Sequence, residues 1–107
     1  MTNYSRGAAF ERTVAADLAS RGYEVVRAAG SHGVADVVAF KDGQPPLFVQ
    51  CKTNGKMGRE EVRKLREAAR RGGAVPVKAS RPKRGVIRYE RHHSFADAGY
   101  QWSELEL

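Results

Sequence analysis

Three short apolar runs, "YEVVRAA" (23–29), "VADVVAF" (34–40) and "LFVQCK" (47–52), follow one another with only "GSHG" and "KDGQPP" between them. Each run has the build of a strand, and each connector is made of residues that end one. Asp42-Gly43 is a turn dipeptide, and the prolines behind it, Pro45 and Pro46, cannot donate to a continuing ladder. Any fold for this chain must therefore contain a meander of three short strands between Tyr23 and Lys52.

Helical patterns frame the meander. Phe10, Val14 and Leu18 recur four apart, with Ala8, Ala9, Ala15, Ala16 and Ala19 filling in, which predicts a helix from Gly7 to about Arg21. Ser5 is placed to cap it, and Gly22 sits where a C-terminal glycine belongs. After the meander, "TNGKMG" reads as a glycine-bearing loop able to close on a substrate. "REEVRKLREAARR" (59–71) reads as a second helix, buried along Val62, Leu65 and Ala69 and stopped by Gly72-Gly73. "AVPVKAS" and "GVIRYE" predict two more strands joined by a basic loop, "RPKR". In the tail "HHSFADAGYQWSELEL", Phe95, Tyr100 and Trp102 are expected to pack against the body or a partner subunit. The order predicts an α/β fold, a mixed five-stranded sheet flanked by helices. With 107 residues and no internal repeat or linker, residues 1–107 are expected to form one domain.

No apolar run approaches the roughly 20 residues needed to span a bilayer, and "MTNYSRGAAFER" lacks the apolar stretch of a signal peptide. A soluble, cytoplasmic protein with no membrane partner is expected. Cys51 is the only cysteine, which excludes an intrachain disulfide and a cysteine-based zinc site, and His32, His92 and His93 have no zinc-ligand spacing. A metal, if bound, is expected to be one that accepts oxygen ligands.

The net charge of +7 is distributed unevenly. Residues 1–53 carry six Lys/Arg against five Asp/Glu, and residues 54–107 carry thirteen against seven. Such a basic half is either a solvated surface or a seat for a polyanion, with a nucleic-acid backbone the better fit. A membrane surface fits less well, because no strongly apolar helix face accompanies the charge.

Asp36 lies among Val34, Ala35, Val37 and Val38. A carboxylate buried there must be paired, hydrogen-bonded or metal-bound, whereas one at the strand's start could instead face solvent or cap a turn. On the next strand Gln50 and Lys52 leave one face together. By themselves they describe a half-exposed strand with a wet side. With Asp36 they put three polar groups at one strand end.

The spacing of Asp36, thirteen residues, then Gln50-Cys51-Lys52 resembles the PD-(D/E)XK nuclease superfamily, in its variant where Gln replaces the second acid. More narrowly, residues 7–40 resemble the opening of the archaeal-type Holliday junction resolvases, through Gly7, Glu11-Arg12, Arg27, Gly30-Ser31 and Asp36. The resemblance covers residues 5 to about 78. It implies a restriction-endonuclease-like core and a homodimer that resolves four-way DNA junctions by paired symmetric nicks, with Mg²⁺ or Mn²⁺ as cofactor. It also implies that Asp36, Gln50 through its side-chain oxygen, Cys51 through its main-chain carbonyl and Glu11 hold the metal. Lys52 would then stabilise the transition state, and Ser31 would contact the phosphate. Most such resolvases carry Glu where this chain has Gln50, which removes one negative charge from the site.

Expected DNA contacts are Arg12 and Arg27 by the same resemblance, together with Lys56 in the loop. Arg59, Arg63, Arg66 and Arg70 align on one helical face, and Lys78, Arg81, Lys83 and Arg84 cluster about the basic loop. Glu60, Glu61 and Glu67 offer the helical arginines partners of their own, so a salt-bridged surface helix is the alternative there. A nuclease of restriction or repair type, a non-catalytic DNA-binding module with a nuclease fold, and a structural RNA-binding protein are competing readings. The last of these leaves Asp36, Gln50 and Lys52 unexplained.

Overall fold

The computed structural model describes residues 3–27, 35–95 and 99–107. Helix α1 (Asn3–Ser20) precedes β1 (Glu24–Arg27), β2 (Val37–Phe40) and β3 (Leu47–Cys51). Helix α2 (Arg59–Gly72) then leads into β4 (Val75–Lys83), β5 (Val86–Phe95) and β6 (Gly99–Glu104). The strands lie in chain order across one sheet, and every neighbouring pair is antiparallel except β3 with β4. A parallel pair needs a crossover that returns the chain to the starting end, and α2 provides it.

The two helices cover opposite faces. Phe10, Val14 and Leu18 of α1 are no more than 1% exposed and meet Val37, Ala39, Leu47, Val49, Val77 and Tyr89. Each fully buried aliphatic or aromatic side chain stabilises the fold by about 1.5–3 kcal/mol. Strand alternation turns Phe48 to the other side, under the end of α2, where a Cβ added at Gly72 would lie 3.0 Å from the Phe48 ring. Val62, Leu65 and Ala69 form the buried stripe of α2, as their spacing predicts. Gly73, at φ 63°, ends the helix in the left-handed conformation that disfavours other residues. Between α1 and β5, the Tyr89 hydroxyl donates to Asp17 Oδ2 at 2.6 Å, and Arg21 Nε reaches the same oxygen at 3.0 Å.

The α/β class and the helix and strand order are as expected, with three differences. Helix α1 begins at Asn3, so Ser5 lies within it rather than at its cap. The "RPKR" segment is not a loop, because β4 runs on to Lys83 and the turn comes at Arg84-Gly85, with Gly85 at φ 78°. A register shift between Ser80 and Lys83 makes this possible, since Pro82 has no N–H to give and is tolerated at a bulge. The sheet has six strands rather than five, because the polar segment 91–95 continues β5 and the tail returns beside it as β6. Trp102 packs on its own sheet, edge-on to His92 at 4.8 Å between ring centroids. Among the described residues, no helix is long and apolar enough to cross a membrane.

Candidate active site

Asp36 stands one residue before β2. Its N–H donates to the Val49 carbonyl at 2.9 Å, and its Oδ2 accepts from the Cys51 N–H at 2.9 Å. At 7% exposure it neither faces solvent nor caps a turn. The β2–β3 ladder ends at the pair Val37 and Val49, and Asp36 bonds the residues on either side of Gln50. Glu11 reaches the same end from α1, half-buried and 3.6 Å from Arg27 at the end of β1. Burial, and then the Asp36 charge, hold the Glu11 carboxyl above the usual carboxylate range, while Arg27 pulls the other way. Cys51 turns its side chain into the core beside α1. Burial first, then Asp36 and Glu11, push its thiol well up, so only its main chain is suited to meet a cation.

These residues offer two carboxylates, an amide oxygen and a main-chain carbonyl, all hard donors of the kind Mg²⁺ and Mn²⁺ accept. Burial and, after it, the Asp36 charge both disfavour the ionised Glu11 carboxylate, and a bound cation would offset both. Among the described residues, no three His, Cys, Asp or Glu side chains gather into a metal-ligand group.

Lys52 follows β3, its N–H bound to the Ala79 carbonyl at 2.8 Å and its own carbonyl accepting from the Gly55 N–H at 2.8 Å. Its ammonium lies 2.5 Å from Glu61 Oε2 on the first turn of α2. That hydrogen bond, more than any other influence, holds the Glu61 carboxyl below its usual range. Glu61 is therefore not the intrahelical partner the sequence suggests. Its neighbours are: Glu60 pairs with Arg63, and Glu67 pairs with Arg70 at 2.7 Å and Arg71 at 3.1 Å.

The expected DNA contacts divide sharply. Arg12, Lys56, Arg59, Arg63, Arg70, Arg81, Lys83 and Arg84 are exposed, and Arg66 is half-buried in a groove of about 290 Å³ that also holds Arg63, Arg70 and His92. Arg81 lies over the Phe10 ring at 4.9 Å. Lys78 differs from the rest. It is 7% exposed, donates to the Gly55 carbonyl at 2.8 Å, lies 3.6 Å from Glu90 and sits 4.4 Å above the Trp102 ring. It is an internal strut for the loop behind Lys52 and stands directly beside Gln50 in the parallel ladder. Ser31 and Gly30 fall outside the described residues.

The link from Lys52 to Glu61 and the inward turn of Lys78 were not anticipated. The spacing of Gly58 and Glu61 carries a signal for the first, because a Glu at the third helical position reaches back toward its cap, here to the Gly58 N–H at 3.2 Å. Lys78 alternates with Val75, Val77 and Ala79 on a buried strand, but its inward course depends on Glu90 and Trp102 from strands later in the chain.

Comparison with known proteins bears on this geometry. The Crossover junction endodeoxyribonuclease Hjc of Methanocaldococcus jannaschii is 38% identical over 66 residues, 58% of this chain and 48% of that protein. The chain thus spans about half the length of that relative. The fold matches Archaeoglobus fulgidus Hjc, a Holliday junction resolvase, with a TM-score of 0.72 over 95% of this chain and 92% of that one, at 24% identity. Residues 2–103 match the profile of the archaeal Holliday junction resolvase (Hjc) family. Matched over nearly its whole length, the chain belongs to the archaeal Holliday junction resolvase family.

Proposed function

We propose that this chain is a divalent-metal-dependent, structure-specific endonuclease that resolves four-way DNA junctions by paired symmetric nicks. The observation that carries the reading is the meeting of Asp36 and Glu11 at the strand end that bears Gln50 and Lys52, in a member of a resolvase family. The Methanocaldococcus relative, a crossover junction endodeoxyribonuclease by name, supports the substrate class.

A bound Mg²⁺ or Mn²⁺ supplies Lewis-acid neutralisation of charge at the phosphodiester and makes water more acidic. Asp36, one oxygen fixed by the Cys51 N–H, would be its principal ligand. Glu11, the Gln50 amide oxygen and the Cys51 carbonyl complete the protein's share. Lys52 places an ammonium where negative charge grows in the transition state, and Ser31 contacts the phosphate. Arg12, Arg27, Lys56, Arg59, Arg63, Arg66, Arg70, Arg81, Lys83 and Arg84 read the DNA backbone, each neutralised phosphate steepening the salt dependence of binding.

Two symmetric nicks call for two active sites, hence a homodimer. Val26 and Phe40, 54% and 44% exposed on β1 and β2, are apolar surface available for such pairing. A DNA substrate is in keeping with a cytoplasmic location. One second reading is favoured by a specific observation: the neutral Gln50 suits a DNA-binding module that has lost cleavage.

Incubation with labelled four-way junction, linear duplex and single strand, in Mg²⁺ or in EDTA, separates these. Paired nicks confined to the junction and dependent on Mg²⁺ are expected. Binding without metal-dependent nicking selects the non-catalytic module, and equal cutting of linear duplex selects a general nuclease.

A further inference from the structure

We propose that Glu61 is a positioning residue for Lys52, aiming its ammonium at the scissile phosphate from the first turn of α2. The inference rests on the nuclease reading above and assigns a further residue to the same site.

Lysine carries its charge on a flexible four-carbon stem, and an unsupported ammonium explores many positions. Here both ends of Lys52 are held. The backbone is fixed by the Ala79 carbonyl and the Gly55 N–H, each at 2.8 Å, and the ammonium by Glu61 Oε2 at 2.5 Å. The carboxylate is fixed in turn, because its other oxygen accepts from the Gly58 N–H at 3.2 Å. An ammonium has three N–H donors, so one spent on Glu61 leaves two for a phosphate oxygen and the attacking water.

An ion pair this open to solvent, with side chains 28% and 43% exposed, adds little to stability. Its consequence lies in direction. Glu60 and Glu67 spend their charge on arginines of their own helix, whereas Glu61 reaches across to the end of β3. The helix whose exposed Arg59 and Arg63 would meet the DNA backbone thus also aims the lysine, so seating α2 on a junction sets Lys52 at the same time.

Glu61→Gln tests this, since the amide keeps an oxygen for the Gly58 N–H but removes the charge that holds Lys52. Three quantities are measured: single-turnover cleavage of a four-way junction in Mg²⁺, junction affinity in EDTA, and thermal unfolding. Cleavage is expected to fall roughly tenfold to a hundredfold, the scale of a misplaced catalytic group. Affinity is expected to change less than about twofold and the melting temperature hardly at all. Glu60→Gln, one residue away, should leave the cleavage rate unchanged. If Glu61→Gln melts early, Glu61→Asp, which retains the charge but withdraws it by one carbon, carries the same expected fall in rate. Glu61→Gln cutting at the wild-type rate, or losing rate only in proportion to affinity or folding, overturns the assignment alone. A wild type that cuts no junction overturns the nuclease reading and this one with it.

Discussion

Replacing Lys78 separates an internal strut from a DNA contact. Lys78→Met keeps the length and apolar stem of the side chain while removing its charge. The loss begins with the hydrogen bond to the Gly55 carbonyl at 2.8 Å, a charge-assisted bond of about 1.5–3 kcal/mol. Glu90 adds less, because at 3.6 Å and 21% side-chain exposure water can replace the ammonium. The contact with Trp102, 4.4 Å from Nζ to the ring centroid, is partly retained, since a thioether also packs favourably on an aromatic ring. The sum is a destabilisation of about 2 kcal/mol, or roughly 1–2 M in the midpoint of a urea titration. Junction affinity in EDTA, and its slope against salt, should stay at the wild-type values, whereas loss of a phosphate contact lowers that slope by about 1. Glu90→Gln added to Lys78→Met should recover part of the stability, because the stranded carboxylate is then neutral. Unchanged stability combined with weakened, less salt-sensitive binding would return Lys78 to the DNA-contacting surface and refute the strut.

Asp36→Asn should abolish Mg²⁺-dependent cleavage while leaving junction affinity largely intact, because binding rests on the exposed basic residues; a mutant that cuts at the normal rate refutes its role. Gln50→Glu restores a third acid and should preserve or raise cleavage, with half-maximal rate reached at lower Mg²⁺; loss of cleavage in a folded protein would mean that Gln50 acts otherwise than as a ligand. His92 has its pKa pushed down to about 4, chiefly by burial and then by Arg66, His93 and Lys78. The unfolded chain takes up that proton near pH 6.5 and the folded one only near 4, so stability is full above about pH 6.5 and falls by about 3 kcal/mol as pH drops toward 4. Urea titrations at pH 7.5 and 4.5 on wild type and His92→Phe should show a difference that grows at the lower pH, and a pH-independent difference contradicts this.

Much of the fold is legible in local pattern. The four-residue recurrence of Phe10, Val14 and Leu18 is a helix in any context, and the turn residues after Phe40 leave the chain no way but to reverse. The same holds for the site's cast: Asp36, Gln50 and Lys52 stand out because a polar residue on a buried strand requires a reason. The sixth strand is less legible. The segment "RHHSF" lacks an apolar alternation, and it becomes a strand because β6 supplies the opposite ladder.

Residue types at short spacing therefore determined the α/β class, the meander and the two helices, since helix and strand periods are local properties of the chain, whereas the candidate ligands were named through the family resemblance. Tertiary structure alone decided which of the cations lie exposed and which are spent inside. Lys78 and Arg81 are three residues apart on one basic stretch, yet one is buried against Trp102 and the other is exposed over Phe10. Lys52 and Glu61 are nine apart, and only the loop that starts α2 at Arg59 brings an ammonium and a carboxylate to 2.5 Å. A side chain's partner depends on what distant strands and helices place beside it, and that is set when the sheet closes, not by the neighbours in sequence.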